Sequence, residues 1–147
     1  MTDYPILIGD SEPVMVELIA ELITEVIGED NRVAVYSSGY GEDLRQLAEN
    51  HDVRLFCLTI NNLLFRSNPA PYEKRIEKVI ELVSEMKRRY EIPVIISGAK
   101  GILIETVWRS EADAVIETPF NLDDYRAILK DSYKTPFLIA DNSALPN

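Results

Sequence analysis

Apolar positions along this chain alternate between two habits: short unbroken runs, and stretches in which they recur every three or four residues. The first habit is that of a strand covered on both faces, the second that of a helix with one buried side. Pro5 to Gly9, with Ile6, Leu7 and Ile8 consecutive, predicts a first strand. Asp10, Ser11, Glu12 and Pro13 then turn the chain into a helix that Ser11 is expected to cap, with Pro13 tolerated in its first turn. Met15, Leu18, Ile19, Leu22, Ile23, Val26 and Ile27 fall on one face of it and Glu17, Glu21 and Glu25 on the other, until Gly28 stops it.

Arg32 to Tyr36 predicts a second strand, and Ser37 to Gly41 leads into a short helix with Leu44, Leu47 and Ala48 on one side. Val53 to Asn62 is the expected middle strand: Leu55, Phe56, Cys57 and Leu58 are unbroken apolar residues, and the run ends in Thr59, Asn61 and Asn62. After a breaker-rich loop from Arg66 to Pro71, Tyr72 to Tyr90 predicts a long helix with Ile76, Val79, Ile80, Val83, Met86 and Tyr90 inward and a solvated charged face outward. Pro93 to Ser97 is a fourth strand, followed by Gly98 to Gly101 and a helix through Ile104, Val107 and Trp108. Ala114 to Glu117 is a fifth strand, and Asn121 is expected to cap a last helix with Tyr125, Ile128 and Leu129 inward, fading near Lys134. Strict alternation of strand and helix predicts a doubly wound α/β fold, with a five-stranded parallel sheet and right-handed crossovers. The ligand crevice of such sheets lies at the carboxyl ends of the central strands, so residue 59 is where chemistry is sought first. A hydroxyl stands there.

A chain of 147 residues supports one domain, placed at 1–134, followed by a tail at 135–147 whose Phe137, Leu138, Ile139 and Ala140 are too apolar for a simple solvated end. That tail is expected to pack back or to lie at an interface. The formal net charge of -10 repels phosphate backbones and anionic lipid, so direct nucleic-acid and membrane binding are not expected. The basic run Lys87 to Arg89 reads as a solvated helix end. Cys57 lies inside the apolar run and reads as a buried, inert thiol, while His51 reads as a surface residue in a polar turn. Neither residue builds a metal site, and no cofactor is expected. No apolar stretch reaches membrane-spanning length and the N-terminus lacks a signal-peptide pattern, so a cytoplasmic protein is expected.

Four fragments in order carry a resemblance: ILIGDSEP (6–13), SSGYGEDL (37–44), IPVIISGAKG (92–101) and ADAVIETPFNLDDY (112–125). Residues 4 to 134 together resemble the receiver domain of bacterial response regulators, which implies the flavodoxin-like fold with strand order 2-1-3-4-5. In that family, self-phosphorylation needs two acids after the first strand to hold Mg²⁺ and an aspartate phosphoacceptor after the third. It also needs a Ser or Thr after the fourth strand and a lysine after the fifth. Carried over, these positions become Asp10 with Ser11, Thr59, Ser97 and Thr118, so only part of the pattern is kept. A hard cation wants several oxygens, and phosphoryl transfer needs cations to neutralise the moving group; Thr59 and Thr118 supply neither. The resemblance thus implies a degenerate, pseudo-receiver-like member. Val115 also stands where the family's aromatic switch residue would fall.

Other motifs are incomplete. Gly39, Gly41 and Leu44 approach the dinucleotide fingerprint but lack its third glycine and the acid after the next strand, which leaves a turn-forming role. The cobalamin pattern lacks its histidine, and no nucleophile–base pair assembles around His51. No enzymatic activity is expected. What remains is a signalling module acting by protein–protein contact, with a protein partner or a second copy as a homodimer. The expected contact residues are Trp108, Tyr125 and Arg126, with Phe137, Leu138 and Ile139 of the tail. The alternatives are a phosphorylated two-component response regulator with displaced chemistry, and a small-ligand sensor using the strand-end crevice. The residues Asp10, Thr59, Ser97 and Thr118 are expected to satisfy one another by hydrogen bonds.

Overall fold

The computed structural model describes residues 2–28, 31–66, 72–99, 101, 111–118 and 120–131. Five strands, β1 (Thr2–Gly9), β2 (Asn31–Ser38), β3 (Leu55–Thr59), β4 (Val94–Gly98) and β5 (Ala114–Glu117), form one sheet. Its order is β2-β1-β3-β4-β5 and every neighbouring pair is parallel. The helices are α1 (Pro13–Ile27), α2 (Gly41–Asn50), α3 (Tyr72–Arg88) and α4 over 122–131, with a single 3₁₀ turn at Ile60–Asn62. The expected helix through Ile104, Val107 and Trp108, the end near Lys134 and the tail lie outside the described residues.

Every residue of β3 and β4 is buried, as their unbroken apolar runs require. The pleat then divides the core in two. Leu7, Phe56, Leu58 and Ile96 face α2 and α3, against Leu44, Val79, Val83 and Met86. Ile6, Ile8, Leu55, Cys57 and Ile95 face α1 and α4, against Ile19, Ile23, Tyr125 and Leu129. At roughly 1.5–3 kcal/mol per fully buried large apolar side chain, these two layers outweigh any local helix signal. α1 shows it: its N-cap is Glu12, no side chain caps it, and Ser11 is exposed instead of capping. Packing of Ile19, Leu22, Ile23 and Ile27 holds this helix.

Asn121 does cap α4, where its Oδ1 accepts the Asp123 N–H at 2.8 Å. On α3 the buried stripe includes Leu82, while Ile80 is only half-buried. Leu82 lies beside Val79 and Val83 on the face that meets α2 and the sheet, so the stripe is centred slightly further round than the apolar spacing suggested. The helix ends through Glu91 at φ 54°, which lets the Ile92 N–H reach the Met86 carbonyl at 3.0 Å.

Candidate functional site at the strand ends

The parallel register places Thr59 beside Ser97 at the carboxyl ends of β3 and β4. Both are buried, and their hydroxyl oxygens are 3.2 Å apart in a hydrogen bond; Ser97 Oγ also lies 3.4 Å from the Leu58 carbonyl. Thr118 follows β5, where its N–H donates to the Gly98 carbonyl at 2.9 Å, and its side chain is half-buried.

Asp10 stands apart from that pair. It is 3% exposed, and its Oδ1 accepts the Glu12 N–H at 2.8 Å across the turn into α1. Its Oδ2 is buried without a hydrogen-bond partner among the described residues. The expected network of Asp10, Thr59, Ser97 and Thr118 is therefore corrected: only Thr59 and Ser97 bond side chain to side chain. The side chain of Asp10 is turned back on its own loop by the Glu12 N–H. Asp10 and exposed Ser11 line a groove of about 530 Å³ between α1 and the outer end of β2, with Ser37, Ser38 and Tyr40. Thr59 and Thr118 line a separate cavity of about 300 Å³ on the other side of α1.

The loops around these residues are tied to one another. Ser11 N–H donates to the Asn62 carbonyl, Leu64 N–H to that of Gly39, and Gly41 N–H to that of Leu64. Gly39 and Gly41 are needed there for space: a Cβ on Gly39 would lie 2.7 Å from the Ser11 Cα, and one on Gly41 would lie 2.2 Å from the Phe65 ring. Arg75 on α3 extends over the turn after β3, donating to the carbonyls of Ile60 at 3.4 Å, Asn61 at 3.3 Å and Leu63. Asn61 Oδ1 accepts the Ala99 N–H at 2.7 Å, which binds the β3 and β4 turns together. Arg66 packs 4.2 Å over the Tyr40 ring and donates to Asp43, and this guanidinium holds the Asp43 carboxyl below its usual range.

Sequence reasoning missed Arg75 and, although it placed Asn61 at the end of the middle strand, missed the bond from Asn61 to Ala99. Arg75 sits on the flank of an amphipathic helix and looks like any solvated cation; only the path of the turn brings three carbonyls within its reach. It also missed that the basic run at the end of α3 is neutralised. Lys87 pairs with Asp113, Arg88 with Glu111 and Arg89 with Glu49, because the segment before β5 and the end of α2 carry acids that fold back onto it. His51 is half-buried and stacks on Tyr36 with ring centres 3.8 Å apart, where a plain surface position was expected.

Two of the expected contact residues are employed within the fold. Tyr125 is 1% exposed, so it is corrected from surface anchor to core residue. It packs in the same α1–α4 layer as Cys57. Burial holds the phenol well above its ordinary range, with the Cys57 contact and the Asp10 charge acting in the same direction. Burial likewise pushes the Cys57 thiol up to about 12, against the smaller opposing effect of the Tyr125 bond. Arg126 pairs with Glu25 of α1 and with Asp123 at 2.8 Å. Trp108, Phe137, Leu138 and Ile139 lie outside the described residues. Val115 of β5 and Leu122 of α4 are exposed apolar residues.

The Mg²⁺ that the resemblance implies lacks its donor set here. One carboxylate, Asp10, is present where a hard cation wants six or more oxygens, Ser11 brings no charge, and the Thr59 oxygen is bonded to Ser97. No helix among the described residues is long and apolar enough to cross a membrane.

No protein-family model matches the sequence, and no curated protein matches it. Solved structures do. NtrX from Brucella abortus is similar at 21% identity and a TM-score of 0.71, over 99% of this chain and 30% of that one. The signal receiver domain of an HD domain-containing protein from Pseudomonas fluorescens Pf-5 matches at 12% identity and 0.66, over 90% of this chain and 95% of that domain. A structure described as belonging to a family of redox sensors in the streptococci, evolved from two-component response regulators, matches at 17% identity and 0.63, over 95% of this chain and 55% of that one. The chain spans about 30% of the length of NtrX. It has the fold of response-regulator receiver domains, with the strand order 2-1-3-4-5.

Proposed function

We propose that this chain is a receiver-like regulatory module that signals through protein contacts without aspartyl phosphorylation. The observation that carries this reading is the buried hydrogen bond between Thr59 and Ser97 at the strand ends, with Thr118 in place of a cation. A phosphoryl group arriving there would meet one carboxylate, Asp10, and at position 118 a hydroxyl where transfer needs a cation to neutralise its oxygens. Thr59 is also a weak nucleophile with no base bonded to its hydroxyl. The exposed Val115 and Leu122 supply apolar surface for a protein partner or a second copy. The streptococcal sensors, which share this fold, support the idea that such a module can carry another input. The module is cytoplasmic and not an enzyme in this reading.

Sedimentation velocity of the full chain, with and without acetyl phosphate and Mg²⁺, tests it. The expected result is one sedimentation profile under both conditions. A phosphodonor-dependent change in association would overturn the reading.

A further inference from the structure

We infer that the cavity beside Thr59 and Thr118 is a binding site for a small, uncharged molecule with an apolar body and a hydrogen-bonding head. Short hydroxyl side chains at both strand ends leave about 300 Å³ open between the sheet and α1, at the small end of the range for ligand pockets. The chemistry of the walls selects the occupant. Met15 and Leu18 of α1, with Phe120 and Leu122, form the apolar side. Thr59, Thr118, Asn61 and Asn62 form the polar side, and none of the described residues that line it ionises. An ion entering would shed water and meet no counter-charge among the described lining residues, which is strongly unfavourable, whereas a neutral hydroxyl, amide or ring nitrogen exchanges water for these groups.

Hydrogen-bonding capacity is left over at the sheet end. A hydroxyl has one donor and two acceptor sites, and the bond with Ser97 uses only one of those on Thr59, which is 3% exposed. Asn61 gives its Oδ1 to the Ala99 N–H, and its amide nitrogen takes no part in that bond. The ligand's head therefore lies against Thr59, Thr118 and Asn61, and its body against α1 and Phe120. The site is also placed to be read out, since Phe120 packs on Tyr125 with ring centres 4.8 Å apart and ring planes tilted by 46°, and Leu122 of α4 is exposed.

Four probes of one shape test the inference: benzyl alcohol and benzamide, which are neutral, against benzoate and benzylammonium. The readout is the ¹³C-methyl resonance of Met15, with Met86, buried in the opposite core layer, as internal reference. The neutral probes are expected to move the Met15 signal saturably at millimolar concentration without moving Met86, and the charged ones to bind at least about tenfold more weakly. Thr59→Val, which keeps the shape and removes the hydroxyl, is expected to weaken the neutral probes by about tenfold, and Thr118→Leu, which fills the cavity from its half-buried edge, to abolish the shift. Absence of a saturable Met15 shift with both neutral probes overturns the inference. So does equal binding of the charged probes, or unchanged binding in Thr118→Leu. No phosphodonor is used and no association is read, so the result is separate from that of the sedimentation test.

Discussion

Thr59 and Ser97 face each other across β3 and β4 with their hydroxyl oxygens 3.2 Å apart, in the place where the topology of the sheet puts its reactive centre. A neutral pair closed on itself gives that centre no charge to move. Asp10, after β1, keeps one oxygen on its own loop and the other without a hydrogen-bond partner among the described residues.

Restoring the missing charges one at a time separates their roles. Thr59→Asp leaves the Ser97 hydroxyl an acceptor but buries a second carboxylate at the strand ends, which is expected to destabilise the fold by about 1–3 kcal/mol. Incubation with acetyl phosphate and Mg²⁺ is expected to give little or no phosphoryl adduct by intact-mass spectrometry. The double variant Thr59→Asp, Thr118→Lys supplies the ammonium and is expected to begin to accept the label and to regain stability. Robust labelling of the single variant would show that the charge at 118 matters less than argued here.

Arg75 fixes the turn after β3. Replacing it by Met removes a guanidinium from the carbonyls of Ile60, Asn61 and Leu63 while keeping much of the apolar stem. Hydrogen exchange is expected to accelerate at the amides of Ser11, Leu64 and Gly41, which tie that turn to its neighbours, and to stay slow in β1. Unchanged exchange at those three amides would remove Arg75 from this role.

Gly41 tests packing against propensity. At the start of α2 alanine would be favoured by roughly 0.5–1 kcal/mol on backbone grounds alone. A Cβ there meets the Phe65 ring, and overpacking of this kind costs typically 1–3 kcal/mol, so Gly41→Ala is expected to lower stability in a urea melt. Adding Phe65→Leu is expected to return part of the loss. Additive effects of the two changes would contradict the contact.

The buried thiol gives a pH signature. Because the Cys57 value is raised from 9.0 to about 12 in the fold, its share of stability is complete below pH 9 and is lost as pH rises from about 9 to about 12. Tyr125 shifts in the same direction mainly through burial, which Cys57→Ala keeps, so the comparison reads the thiol together with its smaller effect on that phenol. Between pH 8 and pH 10.5 the parent is expected to lose about 2 kcal/mol more than Cys57→Ala in denaturant unfolding. Equal losses would mean that the thiol ionises in the native state.

The fold was readable because its strands are either fully buried or placed at an edge. Unbroken runs such as Leu55 to Leu58 mark the first kind, and the steps from Met15 to Ile27 mark the helix that covers it. The places of Thr59 and Thr118 at the strand ends were readable too, since the order of the strands fixes them. What was not readable depends on distances along the third dimension. Asp10 follows β1, yet nothing in its neighbours says that its carboxylate turns back to the Glu12 N–H. Tyr125 reads from the sequence both as an inward position of the last helix and as a contact residue, and the packing of α4 on the sheet decides for the core. Arg75 looks solvated until the turn from Ile60 to Leu63 passes beneath it.

The central claim is that the strand-end site does not run a phosphoryl switch, and a beryllofluoride titration in Mg²⁺, followed by backbone amide NMR, tests it most directly. Beryllofluoride mimics a phosphoryl group on a carboxylate at such sites. The account predicts no saturable shift of the amides of Asp10, Thr59, Ser97 and Thr118 up to millimolar reagent. Saturable shifts concentrated on those residues would contradict it.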